Sequence, residues 1–408
     1  MFYPAHLNLY KQSCLVIGSG AYAERRVISL YRCGANITLV GQVGTPLLTR
    51  LSQENGIRWQ KRSFEAEDLN RCDLLLVFIE TEDNDLNSHI FHQAHIVHGI
   101  SLVNVHDVIS ESTFTSTSLV NTELMTISIS TGGQSPALSR RIRQYVEQLV
   151  GIDPVNHLPE KSVVASASEF AFTPSTQPPY YPVGLIATGQ RYAAISQKPG
   201  KENSEMKQRL NLLERCGAEL VSESSSSTVI DDVFLTLVEQ SAIEKMEMLA
   251  TQPKLVEVIN QPNRSRFITP KLISDQDLMI GISARGEGTV EVEKAHAQLT
   301  RQFVSNGYGR FLDLLGSLRP TVSNTVPLAG HRQQFYNNLI SCAKQTGSEQ
   351  AASSAHSSAA EDVCCLGFGH LDCQRSCLFN SVRYQKSSLV HLKSEILVRS
   401  QLVNDGWN

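Results

Sequence analysis

The chain has 408 residues, of which 41% are hydrophobic and 19% are charged, a composition typical of globular proteins. Its 36 lysines and arginines nearly balance its 40 aspartates and glutamates, so the basic excess usual in nucleic-acid-binding proteins is absent. At roughly 150 residues per domain, this length predicts two or three domains.

The sequence also indicates a cytoplasmic protein with no membrane and no nucleic acid among its partners. No apolar run approaches the roughly 20 residues that span a bilayer, and the N-terminus lacks the basic start and apolar run of a secretory signal. Nine cysteines are an odd number and too few for a disulfide framework, which favours a reducing compartment.

Residues 13–150 alternate short apolar strands with helices, a pattern that predicts an α/β fold with a doubly wound parallel sheet. The predicted strands are 14–17, 37–40, 74–79, 101–105 and 125–130. Helices are predicted after the first and the last of these strands, at 21–32 and from Ser135-Pro136 to about Val150.

A glycine-rich turn joins the first strand to the first helix in the pattern G-x-G-x-x-A. Its members are Gly18, Ser19, Gly20, Ala21, Tyr22 and Ala23. The first glycine permits the tight turn, the second lets backbone approach a pyrophosphate, and the alanine allows close packing of helix on sheet. In this context the motif indicates dinucleotide binding, with a plain tight turn as the alternative. The second strand ends in Val40-Gly41-Gln42 without the usual acidic ribose ligand, which leaves NAD versus NADP open.

A second glycine turn precedes the helix that begins near Pro136. Thr131, Gly132, Gly133, Gln134 and Ser135 form this turn, and Arg140, Arg141 and Arg143 follow it on the helix. Backbone amides at a helix start, beside guanidinium groups, suit a polycarboxylate or a phosphate. A simple loop with a solvated basic helix face explains the pattern equally well.

Asp107 follows the strand that ends at Val105, at the sheet edge where α/β folds bind ligands. It is a candidate general base or metal ligand, although from its position alone a helix cap is the favoured role. His106 is a further candidate because it is adjacent to Asp107.

Histidine and cysteine clusters are weaker candidates for metal sites. His89, His92, His95 and His98 are spaced three apart. Successive steps of three drift round a helix, so a solvated helix face is favoured over a zinc site. Cys364, Cys365, Cys373 and Cys377 lack paired C-x-x-C spacing, which makes a zinc or iron–sulfur site a minority interpretation.

Motifs of the first half recur in the second half in the same order, which indicates an internal duplication. Tyr3-Pro4 recurs as Tyr181-Pro182, RCGA at Arg32 as RCGA at Arg215, FTSTSL at Phe114 as FITPKL at Phe267, and LMTIS at Leu124 as LMIGIS at Leu278. The second copy is shorter, and a helix-plus-strand unit is predicted to be missing between Val221 and Asp231, where a serine run stands.

Taken together, these motifs resemble the precorrin-2 dehydrogenase/sirohydrochlorin ferrochelatase family, which is also the N-terminal module of multifunctional siroheme synthases. The segments that carry the resemblance are Tyr3-Pro4, GSGAYAERR from Gly18, RCGA from Arg32, FIETED from Phe78, NVHD from Asn104 and ISTGGQSP from Ile129. The resemblance covers residues 1–150, and its last two segments are more specific than the nucleotide loop.

The resemblance implies NAD+-dependent oxidation of precorrin-2 to sirohydrochlorin, followed by insertion of Fe2+ to give siroheme. It assigns Asp107 the catalytic role in both steps, with transient contact to the metal. The implied cofactor-binding residues are Gly18, Ser19, Gly20, Ala21, Tyr22, Ala23 and Thr81; the implied substrate-binding residues are Asn104, His106, Thr131, Gly132, Gly133, Ser135 and Arg140. The family usually has an apolar residue at the position of His106, and Thr131 keeps the hydroxyl of a frequent serine.

The second copy departs from the family at the residues implied in catalysis. Ser196-Gln197-Lys198-Pro199 aligns with the glycine loop, Asn263 with Asp107, and Arg285-Gly286-Glu287 with the Thr131 turn. We therefore expect this copy to bind no dinucleotide and to be catalytically inactive. The protein is then expected to be a homodimer, as in the family, or an intrachain pseudo-dimer.

Six segments are predicted from the repeat and the resemblance. They are a Rossmann-like NAD-binding domain (1–112), a dimerisation and helical segment (113–151), a linker rich in Pro, Ser and Thr (152–180), the degenerate second copy (181–305), a helical region (306–345) and a tail (346–408). The alternative function is a non-catalytic nucleotide- or tetrapyrrole-binding scaffold, with which a degenerate copy is compatible. Whether chelatase activity accompanies the dehydrogenase stays open, because Asp107 serves both steps.

Overall fold

The computed structural model describes residues 2–70, 73–151, 179–196, 202–221, 233–244, 255–285, 288–326 and 329–350. The predicted linker lies outside these ranges except for its last two residues. The serine run after Val221 and the four cysteines from Cys364 to Cys377 also lie outside the described residues.

The first parallel sheet has five strands. They are β2 (Ser13–Gly18), β3 (Asn36–Val40), β4 (Arg58–Gln60), β5 (Leu74–Glu80) and β6 (Leu102–Val105), connected by helices α1 (Gly20–Arg32), α2 (Pro46–Gln53) and α3 (Asn84–Phe91). The strand order is β4-β3-β2-β5-β6. The chain thus adds β3 and β4 on one side of β2 and then β5 and β6 on its other side, as in doubly wound folds. The predicted doubly wound parallel sheet is thus confirmed for the first four predicted strands, whereas the strand predicted at 125–130 lies in a different sheet.

The central strand β5 shows why the sequence forms this sheet. All seven of its residues are buried, and the first six are apolar, because helices cover both faces of a parallel sheet. The seventh, Glu80, is a carboxylate inside the fold, and a buried charge requires a partner.

The second half contains a four-stranded parallel sheet of the same kind. Its elements are β11 (Arg191–Ile195), α5 (Ser204–Arg215), β12 (Glu219–Leu220), β13 (Leu235–Val238) and β14 (Leu255–Val258). The order β12-β11-β13-β14 corresponds strand by strand to β3-β2-β5-β6. Among the described residues no strand corresponds to β4, which fits the shorter interval in the second half of the sequence.

The two halves meet in an antiparallel sheet made of the first strand of each half and a later strand of each half. It contains β1 (Tyr3–Leu7), β7 (Phe114–Ser116), β10 (Tyr181–Leu185) and β15 (Phe267–Ile268), in the order β15-β1-β10-β7. Tyr3 lies opposite Leu185 and Leu7 lies opposite Tyr181, so the pairing of β1 with β10 is symmetric. Each half therefore contributes two strands to an antiparallel sheet that the halves share.

Equivalent hydrogen bonds fix how the halves correspond near the candidate catalytic residue. The Oγ of Ser112 accepts from the amide of Val105 at 3.0 Å, and the Oγ of Ser265 accepts from the amide of Val258 at 2.9 Å. Asp107 and Asn260, each two residues beyond these valines, share a left-handed backbone, with φ of 54° and 63°. The alignment of Asn263 with Asp107 is therefore wrong, because the end of the strand sets the register and puts Asn260 there.

The remaining strands and helices complete the described chain. The strands β8 (Ser118–Asn121), β9 (Met125–Ser130), β16 (Lys271–Asp275) and β17 (Leu278–Ala284) form a sheet of order β16-β17-β9-β8, and the helices are α4 (Pro136–Leu149), α6 (Thr289–Leu299), α7 (Tyr308–Thr325) and α8 (Ala329–Gln350). α7 lies within the predicted helical region (306–345), whereas α8 begins in it and ends at Gln350, inside the segment predicted as a tail.

The chain divides into two compact units. The first comprises the described residues of 1–128, 147–272 and 280–296, and the second those of 129–146, 273–279 and from 297 onward. The first unit thus contains both parallel sheets, and one of its core clusters joins residues of both halves, among them Val16 and Leu237. In the part of the chain that the structure describes, no helix combines the length and the apolarity needed to cross a membrane.

Candidate functional site

The glycine loop between β2 and α1 has the backbone that a dinucleotide site needs. Gly18 has a φ of +133° and Gly20 a φ of +79°, values that residues with side chains rarely adopt. A Cβ atom on Gly18 would lie 2.3 Å from the carbonyl oxygen of Glu80, so packing requires this glycine. A Cβ atom on Gly20 would meet none of the described atoms within 4 Å, which leaves space for a phosphate.

The first turn of α1 is open to an anion. Ser19 is the N-cap residue in an extended conformation, and its side chain makes no capping hydrogen bond. The first amides of the helix therefore lack a side-chain acceptor, which suits a negatively charged group at this end. Ala23 is fully buried, whereas Ala21 and Tyr22 are exposed. This geometry fits the pyrophosphate of a dinucleotide.

The end of β3 offers no carboxylate to a ribose. A Cβ atom on Gly41 would lie 2.2 Å from the carbonyl oxygen of Gly18, so the two turns are in close contact. The amide group of Gln42 donates to the Oγ of Ser63 at 2.9 Å. Neither Gly41 nor Gln42 distinguishes NAD from NADP.

Asp107 lies beyond the carboxyl end of β6 in a conformation that is uncommon for a residue with a side chain. Its side chain is 91% exposed. The next helical turn, Ile109–Glu111, has Val108 as its N-cap, so the sequence-based preference for Asp107 as a helix cap is wrong. An exposed carboxylate held at positive φ on the ligand-binding edge of the sheet is typical of a functional position.

His106 connects Asp107 with the helix that follows the glycine loop. The centre of its ring lies 4.2 Å from that of Tyr22, and its Nε2 lies 3.6 Å from Oδ2 of Asp107. The structure thus brings together three residues, Tyr22, His106 and Asp107, that the sequence assigned to one site.

Glu80 is part of this arrangement, although the sequence analysis gave it no role. Its Oε1 accepts a hydrogen bond from Nε of Arg26 at 2.6 Å, and its Oε2 lies 3.1 Å from Nδ1 of His106. Arg26 also donates to the Oγ of Ser116 at 2.7 Å, and its guanidinium lies 4.6 Å from the ring centre of Phe78. The signal in the sequence was a charged residue at the end of an apolar strand.

Asn104 and Thr81 bond to neighbouring groups of the fold. Asn104 is buried, and its Nδ2 donates to the carbonyl oxygen of Phe114 at 2.9 Å. The hydroxyl of Thr81 donates to the side-chain oxygen of Asn87 and accepts from the amide of Asp83 at 3.3 Å. Both side chains stabilise the carboxyl ends of β5 and β6.

The second glycine turn belongs to the second unit. Gly132 and Gly133 have φ of 57° and 78°. The amide of Gly132 donates to the Oγ of Ser130 at 3.3 Å, and the amide of Gln134 donates to the carbonyl oxygen of Thr131 at 2.9 Å. Two backbone amides that the sequence analysis proposed as anion ligands thus already donate hydrogen bonds to neighbouring residues.

Ser135 and Arg140 continue this turn into α4. The Oγ of Ser135 accepts from the amide of Leu138 at 3.2 Å and so caps the helix, while its carbonyl oxygen accepts from the hydroxyl of Thr131 at 3.2 Å. Arg140 is exposed, with its guanidinium nitrogens 3.1 and 3.2 Å from the side-chain amide of Gln333. Arg140 and its neighbour Arg141 are therefore both accessible cations near this turn.

The four spaced histidines lie on α3 and the turn after it. His89, His92 and His98 are exposed, and Nδ1 of His95 lies 3.1 Å from the carbonyl oxygen of Ile100. Within the described ranges, no three His, Cys, Asp or Glu side chains are grouped so as to hold a metal ion.

In the second parallel sheet, the corresponding helix N-terminus is closed. Oδ1 of Asn203 accepts from the amide of Met206 at 2.8 Å, and the amide of Asn203 donates to Oε1 of Glu239 at 2.8 Å. Glu239 corresponds to Glu80 in strand register. Its carboxylate thus lies at the N-terminal end of α5, where its negative charge disfavours a bound anion.

Comparison with known proteins finds sequence matches over the first part of the chain. Residues 5–118 match a family model described as putative NAD(P)-binding, and residues 125–149 match the model of the sirohaem biosynthesis protein central region. Siroheme synthase 1 of Serratia proteamaculans is 34% identical over 149 residues, which is 36% of this chain and 30% of that protein. Siroheme synthase of Pseudoalteromonas atlantica is 34% identical over 149 residues, which is 36% of this chain and 31% of that protein.

The chain thus spans about a third of the length of the curated relatives that it matches. The solved structure described as SirC, precorrin-2 dehydrogenase, aligns over 51% of this chain and 97% of that chain, with 19% identity and a TM-score of 0.31. That likeness is too low to indicate a shared activity. The sequence matches confirm the resemblance noted from the motifs for residues 5–149.

Proposed function

We propose that this chain, whose residues 5–149 resemble siroheme synthases, oxidises precorrin-2 to sirohydrochlorin with NAD+ in the cytoplasm. The observation that carries the proposal is Asp107, an exposed carboxylate held at positive φ and linked through His106 and Tyr22 to an open glycine loop.

NAD+ supplies, when bound, the acceptor for the hydride that the substrate loses. Gly18 and Gly20 keep the backbone of the loop in the conformation that admits a pyrophosphate, and the uncapped amides of α1 bind its oxygens. Tyr22 is exposed beside them, where its ring is available to contact a bound ligand.

Asp107 accepts the proton that must leave when a hydride is removed from a reduced tetrapyrrole. Loss of one hydride and one proton oxidises the substrate by two electrons, so the reaction needs one base. A carboxylate within reach of the proton serves as such a base. Its position at the end of β6 gives it access to a ligand bound at this edge of the sheet.

The same carboxylate assists insertion of Fe2+, the metal substrate of the second reaction. Metal insertion removes two protons from pyrrole nitrogens, and an exposed carboxylate both accepts a proton and attracts the cation transiently. Considered by itself, Arg140 is exposed, and an exposed guanidinium forms strong hydrogen bonds with carboxylates.

The second half acts as a non-catalytic partner within the chain. Support comes from the matching strand orders, the symmetric pairing of β1 with β10 and the closed N-terminus of α5. The full chain is then an intrachain pseudo-dimer, with 181–305 as the degenerate copy.

Substitution of the proposed base tests this function. Asn occupies the equivalent left-handed position at Asn260, so Asp107→Asn should fold normally and lose at least about a hundredfold in turnover. The matched control is Asn260→Asp, which should leave turnover unchanged. Equal turnover in wild type and Asp107→Asn would contradict the proposal and favour a scaffold that only binds its ligands.

A further inference from the structure

A continuous series of side chains leads from the protein interior to Asp107. The Glu80 side chain is 0% exposed, that of His106 is 24% exposed and that of Asp107 is 91% exposed. Oε2 of Glu80 is 3.1 Å from Nδ1 of His106, and Nε2 of His106 is 3.6 Å from Oδ2 of Asp107. The imidazole therefore lies between two carboxylates, one buried and one open to solvent.

The buried carboxylate determines which ring nitrogen carries the proton. A carboxylate oxygen accepts hydrogen bonds, and among the described residues Oε2 of Glu80 makes none, while Nδ1 of His106 lies 3.1 Å from it. Arg26 donates to the opposite oxygen, Oε1, at 2.6 Å and holds the carboxylate in place. The neutral ring thus has its proton on Nδ1 and directs the lone pair of Nε2 towards Asp107.

The ring is also fixed in orientation. Tyr22 packs on it with a centroid distance of 4.2 Å, and the amide of His106 donates to the carbonyl oxygen of Ile79 at 3.0 Å. The gap of 3.6 Å from Nε2 to Oδ2 is longer than a hydrogen bond, but such bonds are often long in unliganded enzymes and shorten when substrate binds.

We propose that His106 is a proton-relay residue that acts through Asp107, an inference that rests on the proposed function. Asp107 takes a proton from the tetrapyrrole, and Nε2 of His106 then takes it from Oδ2 of Asp107. The resulting imidazolium keeps the proton on Nδ1, which faces Glu80. The proton on Nε2 then leaves to water. Asp107 is again a carboxylate after each transfer. Metal insertion releases two protons, and one carboxylate cannot hold both at once. Asp107 must therefore pass on the first proton before it accepts the second.

The second half of the chain supports this assignment. There the counterpart of Asp107 is Asn260 and that of His106 is Ile259, while Glu239 instead accepts the amide of Asn203. The base and the imidazole are thus absent together from the half in which the nucleotide site is closed. Their joint absence supports a shared role for the two side chains.

The first experiment measures the proton position without any turnover. Nitrogen-15 spectra of the full-length protein, without NAD+ or substrate and in alkaline buffer, report which nitrogen of the neutral His106 ring is protonated. We expect the Nδ1–H form, whereas free imidazole side chains in water favour Nε2–H. The Nε2–H form in the wild-type protein would overturn the relay.

The second experiment tests the relay in the reaction. His106→Phe keeps a ring against Tyr22 but has no nitrogen, so kcat should fall about tenfold or more with KM little changed. His106→Ala should be equally slow and should recover several-fold in kcat on addition of imidazole, which a purely structural role would not produce. The control is the exposed His98→Phe, which should turn over like wild type.

The outcomes separate the relay from the proposed function. Normal kcat in His106→Phe, or an Ala variant that imidazole leaves unchanged, overturns the relay alone. A wild-type protein without any turnover overturns the proposed function, whereas the tautomer measurement still decides whether Glu80 orients the ring.

Discussion

The residues on which the proposed chemistry depends share an uncommon backbone conformation. Gly18, Gly20 and Asp107 all have positive φ, and each lies at or just after the end of a parallel strand. Glycine adopts positive φ readily, whereas a residue with a side chain, such as Asp107, keeps it only where the surrounding structure maintains it.

Gly20→Ala should weaken NAD+ binding without unfolding the protein. The added Cβ meets no described atom, so the stability cost is the roughly 1–2 kcal/mol of a left-handed residue, whereas the methyl group enters the space for the pyrophosphate. We expect the Kd for NAD+, measured by calorimetry, to rise at least about tenfold.

Gly99→Ala is the matched control for this substitution. Gly99 has a φ of +65° and a Cβ there would also meet no described atom within 4 Å, so the backbone cost is similar. The Kd of this variant should equal that of wild type. If both variants, or neither, lose affinity for NAD+, the glycine loop is not the phosphate site.

His6 should make the first unit sensitive to mild acid. Burial lowers the pKa of His6 to about 3, and its Nε2 lies 2.8 Å from the Oγ of Ser128. The unfolded chain takes up a proton below about pH 6.5 and the folded chain does not, so the free energy of unfolding falls by roughly 1.4 kcal/mol per pH unit between 6.5 and 3. Between pH 7 and pH 5, urea unfolding should show a loss about 2 kcal/mol larger for wild type than for His6→Phe.

An exposed histidine provides the control for that measurement. His98→Phe should keep the pH dependence of the wild-type protein, because an exposed ring is hydrated in both states. Identical pH dependence of wild type and His6→Phe would show that His6 is protonated in the folded protein.

The sequence predicted the glycine loop and Asp107 but not the contact of Glu80 with His106. The loop and the aspartate follow apolar strands, so local patterns were sufficient to find them. The contact depends on the pairing of β5 with β6, which joins His106 to Ile79 through the backbone. A charged residue in an apolar strand signals a buried partner without identifying it.

At the level of elements, the two helix N-termini after β2 and β11 differ in a way that predicts ligand binding. α1 begins without a side-chain cap, whereas α5 is capped by Asn203 and has Glu239 beside it. A capping side chain accepts hydrogen bonds from the free amides at a helix N-terminus. A carboxylate nearby offsets the positive end of the helix dipole.

Calorimetry should therefore find one NAD+ per chain. The stoichiometry of wild type is expected to be one, and Gly20→Ala should weaken that single binding event rather than reveal a second. Two equivalent binding events per chain would contradict the closed N-terminus of α5.

Elements were predicted in proportion to their length and apolar content. The buried apolar strands β2, β3, β5 and β6 were found, while β4, with three residues, and the eight-residue helices α2 and α3 were not. The misalignment of Asn263 has a related cause, because two asparagines lie near the end of β14 and residue letters alone do not fix the register.

For the molecule as a whole, the pairing of β1 with β10 explains why two halves occur in one chain. Each half contributes a strand to the sheet of the other, and the hydroxyl of Tyr3 bonds to the Oγ1 of Thr269 in the second half at 2.6 Å. The order of recurring motifs led to the prediction of a duplication, which stays a prediction, whereas the pairing of β1 with β10 is given by the structure alone because it joins residues far apart in the sequence.

The full-length chain should therefore sediment as a monomer of 45.1 kDa. The backbone edge of β1 that faces β10 is already paired within the chain, so it is not available to another copy. Analytical ultracentrifugation at micromolar concentration tests this. A stable species of twice that mass, resistant to dilution, would contradict the intrachain pseudo-dimer.

The most direct test of the account is anaerobic incubation of the purified full-length protein with enzymatically generated precorrin-2 and NAD+, following NADH and the tetrapyrrole spectrum together. The account predicts one NADH for each sirohydrochlorin formed, and little of either with Asp107→Asn. Absence of both products from the wild-type protein, while a known dehydrogenase converts the same substrate, would contradict it.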